Sequence, residues 1–462
     1  MAPEFNRYNL GVLNLGPAMF NFRSLISASL LLCCTALSVA AENGVETENT
    51  TARFQTTYVW QKKPGFDAPY SGQNSLIANR EKSYTFTTTA YLGFRPWSGG
   101  EFYFNPEVTQ GMPFSNLSGL GGFSNGELTK ASGTNPKFYR QRAYLRQTWS
   151  LGGGAEAVEA DLNQMAGLVD RNRLVLTTGN FSTLDVFDDN AYAKDPRTQF
   201  MNWSSWSHGA YDYSADSRGY AWGAAGEWYN GDWVYRFARM TGPREPNGLP
   251  IDYQIGRHYG DQFEIEHAHQ LGSLPGKVRL LAWRNRAVTA SFSDALAYGA
   301  ANPADPNHQW ILKARNGEKI KYGYGVNLEQ ALISNLGVFG RAMNSDGRTE
   351  TYAFTEVDAS VAVGLSLKGG AWQRGADTIG IALMRNMLGR DRRDYLAAGG
   401  ISFFIGDGAL RYKPEDIAEI YYSWNASRNT FVTLDYQRVN NPAYNADRGP
   451  VNFIALRLHA EY

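Results

Sequence analysis

The chain has 462 residues, with 44 basic and 44 acidic side chains; 19% of its residues are charged and 14% are aromatic. So many aromatic and so few charged residues exclude an intrinsically disordered chain. The neutral balance argues against a nucleic-acid-binding protein, which would carry a basic surface. A mean hydropathy of −0.40 excludes a bundle of membrane helices but not a membrane β-barrel, whose strands alternate apolar and polar residues.

One long apolar stretch, residues 25–41, lies near the start of the chain. It follows Arg23 and ends in the small residues 39–41. A basic segment, an apolar run and small residues at the cut predict a secretory signal peptide at residues 1–41, with Met19 as an alternative start. The other interpretation is a retained membrane anchor, but serines and threonines interrupt the run, and spanning usually takes about 20 apolar residues.

Both cysteines, Cys33 and Cys34, lie inside this predicted leader. The exported chain is therefore predicted to have no disulfide and no reactive thiol. We predict that it forms a single β-barrel domain over residues 42–462.

Apolar and polar residues alternate with a period of two through the rest of the chain. In residues 454–462, for example, Leu456 and Leu458 share one face and Arg457 and His459 share the other. About sixteen such segments occur, beginning near Thr51, Ser83, Glu101, Phe138, Arg173, Gly219, Asp232, Asp261, Lys277, Lys321, Asn335, Glu356, Thr378, Ile417, Thr430 and Pro450. An open sheet edge is excluded in hydrocarbon, so we predict a closed, all-β, antiparallel transmembrane barrel of about sixteen strands with a water-filled lumen.

The connections between the predicted strands alternate between short and long. This alternation is typical of a membrane barrel with short periplasmic turns and long extracellular loops. Residues 151–172 break the pattern, because a short turn is expected there and the segment is long. It indicates either a small helix or plug, or an error in the strand count.

Several charged residues fall on the polar face of predicted strands. Arg140, Arg142 and Arg146 share one parity, while Ala143 and Leu145 share the other, which predicts an arginine ladder facing water. The full set of pore-lining candidates is Arg140, Arg142, Arg146, Glu264, Glu266, Asp435 and Arg457. A lumen with both signs of charge suits a neutral polar solute such as a sugar. Alternatively, these are ordinary solvated charges that pair across strands.

The long connection before Gly219 is dense in polar and aromatic residues at 187–202. We predict that this segment folds inward and narrows the channel. Its candidates for that role are Asp188, Asp189, Asn190, Asp195 and Arg197.

Other chemistry has weaker support in the sequence. His267 and His269 share a strand face, but the pattern places no third metal ligand. Glu107, Glu264 and Glu266 are conceivable glycosidase carboxylates, but carboxylates are common in water-filled lumens. The sequence offers no convincing set of a nucleophile and its base. We therefore predict no enzyme activity, no cofactor and no metal.

Four segments together resemble the carbohydrate-selective porins of OprB type. They are DVFDDNAY at 185–192 with DPRTQFMN at 195–202, NNPAY at 440–444 with DRGP at 447–450, LRLHAEY at 456–462, and FNPE at 104–107 with the glycine-rich residues 119–126. The resemblance spans nearly all of the chain after the leader. It implies a sixteen-stranded sugar channel of the bacterial outer membrane, in a family of which some members prefer glucose. The terminal Tyr462 departs from the commoner phenylalanine.

The predicted partners are small neutral sugars that diffuse passively, outer-membrane lipid and lipopolysaccharide. A strand that ends on an aromatic residue, here Tyr462, resembles the signal that the barrel-assembly machinery recognises. We predict no contact with nucleic acid. The alternative function is a general porin, or one selective for anions or organic acids through the ladder of Arg140, Arg142 and Arg146.

Overall fold

The computed structural model describes residues 38–40, 46–128, 133–305 and 308–462. The predicted signal peptide lies outside these residues apart from Ser38–Ala40, a short strand that pairs with Glu46–Glu48. Cleavage of the leader therefore stays a prediction. No helix in the described ranges has the length and apolar character needed to cross a membrane.

Sixteen antiparallel strands form a closed barrel in which sequence neighbours pair and the last strand pairs with the first. They are β1 Thr50–Lys63, β2 Glu81–Trp97, β3 Gly100–Met112, β4 Gly133–Ser150, β5 Arg173–Phe181, β6 Ala221–Asn230, β7 Trp233–Met240, β8 Tyr259–Leu271, β9 Leu274–Val288, β10 Glu318–Ile333, β11 Leu336–Ser345, β12 Ala359–Gly369, β13 Arg374–Met387, β14 Glu415–Ser427, β15 Thr430–Asn440 and β16 Val451–Glu461. The predicted barrel is confirmed. The largest error in a predicted start is at β4, which begins at Gly133 rather than near Phe138.

The two ends of the barrel differ in the length of their connections. One end, here called the loop end, carries the described connecting residues 64–80, 113–128, 182–220, 241–258, 289–305 with 308–317, 346–358, 388–414 and 441–450. The other, the turn end, carries mostly tight turns such as residues 231–232 and 272–273. Gly231 and Gly272 have φ of 60° and 65°, the left-handed conformation that two-residue hairpin turns favour.

Residues 151–172 are the long exception at the turn end. They form a hairpin of Ala155–Val158 with Gly167–Asp170, and its tip enters the barrel. There the Asn163 side-chain oxygen accepts a hydrogen bond from Asn105 at 2.8 Å. The Met165 backbone N–H donates to the Tyr103 hydroxyl at 3.2 Å. The segment is an inward-folded hairpin, and the strand count is not in error there.

The loop end also supplies helices and a packed interior. The helices are α1 Trp203–Trp206, α2 Phe292–Ala301, α3 Trp310–Lys313 and α4 Arg390–Ala397. Trp203 of α1 packs inside the barrel, with its ring 5.5 Å from that of Phe354 and 6.4 Å from that of Phe123. The lumen is therefore largely filled by connections that fold inward.

The outer face of the strands is apolar. On β15, Leu434 points outward with 61% of its surface exposed, while its neighbours Thr433 and Asp435 are buried inside. We expect Leu434→Arg to lower the free energy of unfolding by about 2–4 kcal/mol, and Asn440→Arg, on the same face near the loop end, by about 0–1 kcal/mol, because a charge costs most at the centre of the bilayer. Denaturant unfolding in lipid vesicles measures both. Equal losses would contradict a lipid-facing position for Leu434.

Candidate functional site

The connection at residues 182–220, here called the inner loop, crosses the lumen and is held by carboxylates of the barrel wall. Glu264 of β8 accepts the Asp188 backbone N–H at 2.9 Å. Glu419 of β14, on another part of the wall, accepts the Met201 backbone N–H at 2.5 Å. A buried carboxylate that accepts backbone N–H groups fixes the chain at that point, so the inner loop is a rigid partition of the channel.

Asp188 organises the hydrogen bonds at one end of the inner loop. Its side chain is fully buried and accepts hydrogen bonds from Arg341 Nε at 2.9 Å, from Asn327 Nδ2 at 2.6 Å and from the His208 backbone N–H at 2.7 Å. Burial raises the pKa of Asp188, but the charge of Arg341, together with the hydrogen bond from the His208 backbone N–H, outweighs it and holds the pKa below its ordinary value. Asp188 is therefore an anion that joins β10 and β11 to the inner loop.

The other sequence-predicted residues of this segment also lie in the lumen. Asp189 forms ion pairs with Lys194 at 2.6 Å and with Arg279 at 3.6 Å. Asn190 Nδ2 donates to the Asn327 side-chain oxygen at 2.8 Å. Asp195 accepts the Arg197 backbone N–H at 2.9 Å, which shapes the tip of the loop.

Arg197 ties that tip to the opposite wall. Its guanidinium lies 2.8 Å from Glu107 of β3 and 3.0 Å from Glu127, and it donates to the Tyr91 hydroxyl at 3.2 Å. Burial lowers the pKa of Arg197, but the two carboxylates outweigh it and raise the pKa well above its ordinary value. Glu107, a glycosidase candidate from the sequence, is thus held in an ion pair.

A cavity of about 660 Å³ lies between the inner loop, the wall of β1, β2 and β4, and the tip of the 155–170 hairpin. Its lining combines cations (Arg142, Arg146, Lys194, Arg197, Arg218), anions (Glu127, Asp161, Asp185, Asp188, Asp189, Asp195, Glu461) and rings (Tyr91, Tyr144, Trp203, Trp206, Tyr213, Tyr220, Phe354). It extends from Tyr220 near the loop end to residues 161–164 at the turn end. The cavity is therefore elongated along the barrel, with charged and aromatic groups side by side.

Two of the three predicted ladder arginines line this cavity. Arg142 makes a two-pronged ion pair with Asp185, at 2.7 and 2.6 Å, and lies 5.2 Å from the centre of the Tyr220 ring. Burial raises the pKa of the Asp185 carboxyl, but Arg142 outweighs it and leaves the pKa lowered. Arg146 lies over the rings of Tyr103 and Tyr144 at 5.4 and 5.6 Å.

The prediction that Arg140 belongs to the same ladder is wrong. Arg142 pairs with Asn105 and Arg140 pairs with Pro106, so Gln141 is an extra residue in β4. Such a bulge reverses the alternation of side chains beyond it, and proline, which lacks a backbone N–H, is typical of such interruptions. Arg140 consequently lies on the outer face, 4.9 Å from the Trp222 ring.

The remaining pore-lining candidates lie on the inner wall but are covered by the inner loop. Arg236 Nη1 bridges Glu264 at 2.9 Å and Glu266 at 3.0 Å. Arg457 donates to the backbone oxygens of Pro196 and Gln199 at 2.7 and 2.8 Å. Asp435 is 3% exposed and accepts from Gln437 at 3.0 Å. Glu264 and Arg457 bind the main chain of the inner loop directly, and none of the four candidates lines the cavity.

Sequence reasoning missed Arg236 and Arg279, which complete the charge network of this wall. Arg279 Nε lies 2.7 Å from Glu266. Each arginine is followed in the chain by an outward apolar residue, Phe237 or Leu280. The alternation that predicted inward positions for Glu264 and Glu266 therefore also predicts inward positions for these two arginines. His267 and His269 are outward, with His267 stacked on Trp233 at 4.2 Å, and within the described residues no group of three suitable side chains is placed to hold a metal.

A sequence model of a protein family matches residues 90–462 of the chain, and that family is described as "Carbohydrate-selective porin, OprB family". The chain belongs to this family. The resemblance seen in the sequence is thereby confirmed, and so are the sugar-selective channel and the outer-membrane location. For this porin the loop end is extracellular and the turn end periplasmic.

Solved structures share the fold of this porin. The high-pH structure of Pseudomonas putida OprB has a TM-score of 0.64 at 15% identity, covering 89% of this chain and 94% of that one. The outer membrane channel DcaP of Acinetobacter baumannii has a TM-score of 0.50 at 10% identity, covering 92% of this chain and 99% of that one. No curated protein sequence matches this porin. Family and fold indicate a channel rather than an enzyme.

Proposed function

We propose that neutral monosaccharides such as glucose cross this porin passively, through the 660 Å³ cavity beside the inner loop. The observation that carries the proposal is the pairing of charges along that path: Arg142 with Asp185, and Arg197 with Glu107 and Glu127. Cations and anions that lie side by side give no strong field of one sign for an ion, and they offer donors and acceptors to sugar hydroxyls. The cavity volume is within the range of about 300–1,000 Å³ that is typical of small-molecule sites.

Aromatic rings supply the second half of a sugar site. Trp206 is a partly exposed ring of the lining, and Tyr220 lies beneath Arg142. A flat ring packs against the apolar C–H face of a pyranose, while neighbouring charges bind its hydroxyl groups. This combination favours sugars over amino acids or organic acids of the same size.

Liposome swelling tests this proposal. We expect monosaccharides to enter faster than amino acids of similar size. We expect Trp206→Leu to weaken the apparent sugar affinity about two- to tenfold, because an aromatic contact contributes about 0.5–1.5 kcal/mol. Trp228→Leu, a matched change on the outer face, should leave sugar entry unchanged. Equal rates for sugars and amino acids would show a general porin, and strong anion selectivity in planar bilayers would show an organic-acid channel.

We further propose that residues 1–41 are removed as a signal peptide, so that the exported barrel domain is 42–462, and that the barrel-assembly machinery recognises the last strand and Tyr462. The main chain of Tyr462 exchanges two hydrogen bonds of 2.7 Å with Phe54 of β1, which supports a role for this residue at the barrel seam. We also propose that the outer face contacts outer-membrane lipid, including lipopolysaccharide.

A further inference from the structure

Four arginines lie together on the outside of the barrel, at the extracellular ends of neighbouring strands. This outer arginine cluster consists of Arg239 of β7, Arg284 and Arg286 of β9, and Arg257 of the 241–258 connection. Their side chains are 39%, 51%, 41% and 64% exposed, respectively. They are separate from the sugar path, which lies inside the barrel.

The alternation of the strands places the cluster on the lipid side. Arg239 shares the face of the exposed Phe237, and Arg284 shares the face of the exposed Leu280. The intervening Ala238, Leu281 and Trp283 are buried inside the barrel. The cluster therefore lies on the outer surface within the last residues of β7 and β9 before the extracellular connections, the part of the barrel nearest to the lipid headgroups of the outer leaflet.

The cluster has more positive than negative charge. Asp261 binds Arg239 at 2.7 Å and Arg284 at 2.9 Å, and Glu318 binds both Arg257 and Arg286. Four guanidinium groups thus share two carboxylates. The adjacent Asp252 is engaged by His258 at 2.6 Å.

The cluster is also held rigidly. Arg239 lies 3.9 Å and Arg284 5.7 Å from the centre of the Tyr259 ring, so one ring packs against both guanidinium groups. A guanidinium has five N–H donors, so each arginine keeps donors beyond those that its carboxylate accepts. Preorganised guanidinium groups with free donors bind phosphate in a two-pronged geometry.

We propose that the outer arginine cluster binds the phosphate groups of a phosphorylated glycolipid of the outer leaflet, the lipid A part of lipopolysaccharide. This inference rests on the proposed contact with outer-membrane lipid and gives that contact a site. The shared carboxylates explain the arrangement: they keep four cations close together in the free protein, and a lipid phosphate neutralises the remaining positive charge.

Another outward arginine, outside the cluster, supplies the contrast. Arg385 of β13 and Asp416 of β14 form a one-to-one pair at 2.6 Å, 57% and 36% exposed. This pair lies on the outer face and at the extracellular end of the barrel, as the outer arginine cluster does, but its two charges balance. We therefore expect it to make no comparable contribution to lipid binding.

Binding of bisphosphorylated lipid A to the purified porin in detergent, followed by native mass spectrometry, tests the proposal. We expect the triple variant Arg239→Gln, Arg284→Gln, Arg286→Gln to lose affinity by about tenfold or more, since each change removes a charge-assisted contact to phosphate. Arg385→Gln is the matched control and should change affinity less than about twofold. Equal losses in the two variants, or no loss in the triple variant, would overturn the proposal.

A second variant and a second probe cover the remaining outcomes. Asp261→Asn keeps an acceptor oxygen beside Arg239 and Arg284 but removes a negative charge that competes with phosphate, so it should tighten lipid A binding; weaker binding would contradict the proposal. Inorganic phosphate should displace lipid A only at far higher concentration, and displacement at equal concentration would show a free-anion site instead. Sugar entry should be unchanged in the triple variant, so that a failure of lipid binding and a failure of the proposed sugar path are distinguishable.

Discussion

Replacing Arg341 by alanine is expected to lower the free energy of unfolding by about 3–5 kcal/mol, the cost of leaving a buried carboxylate without its partner. Arg341 is 1% exposed at its side chain and faces the fully buried Asp188. It also donates to the backbone oxygens of Ser205 and Asp188 at 2.8 and 3.1 Å. One side chain thus joins β11 to two points of the inner loop.

Loss of Arg341 should also enlarge the channel. Without it, Asp188 keeps only neutral donors, and the inner loop loses its tie to β11, while Asn327 of β10 still holds it. We expect a higher single-channel conductance and weaker discrimination between sugars and amino acids. Planar-bilayer recordings measure the first effect and liposome swelling the second.

The matched control for this experiment is Arg385→Ala on the outer face. The Arg385–Asp416 pair is largely exposed, and exposed pairs contribute about 0–1 kcal/mol. Its conductance should equal that of the unmodified porin. If Arg341→Ala behaved like this control in both stability and conductance, Asp188 would not hold the inner loop as the geometry indicates.

The barrel was predictable from the sequence because its signal is local. Alternation on β15 around Leu434 and a turn glycine such as Gly231 need only neighbouring residues, and repetition along the chain gives the closed ring. The face of Glu264 and Arg457 was predictable for the same reason. In each case two or three adjacent residues contain the information.

The errors came from contacts between distant residues. Arg140 faces outward because of the bulge at Gln141, opposite Pro106 on another strand. Glu264, Glu266 and Asp435 are covered because the inner loop crosses the lumen beside them. The alternation of residues within a strand contains no information about the path of that loop. Arg197 pairs with Glu107, 90 residues away in the chain. A single sequence gives no direct signal for pairs of that kind.

Acidification is expected to loosen the inner loop through His208. The side chain of His208 is fully buried, its Nε2 lies 3.5 Å from Asp188, and among the described residues its ring nitrogens find no hydrogen-bond partner. Burial lowers the pKa of His208 from 6.5 to about 4, and the charge of Asp188 only partly opposes this, with Arg341 acting in the same direction as burial. The folded porin therefore favours the neutral ring.

The direction of the pH effect follows from that pKa. Because the folded protein binds the proton less tightly than the unfolded chain, the contribution of His208 is complete above about pH 6.5 and is lost as the pH falls towards 4, a change of about 3 kcal/mol. Asp188 stays ionised over this range, since its pKa is lowered. Conductance should therefore rise between pH 6.5 and 4 as the loop loosens. His208→Gln should reduce the rise in conductance over this range, whereas His269→Gln, on the outer face, should keep it in full. A rise of the same size in His208→Gln would assign the effect to another group, because the glutamine side chain does not titrate and leaves the other charges of the lumen in place.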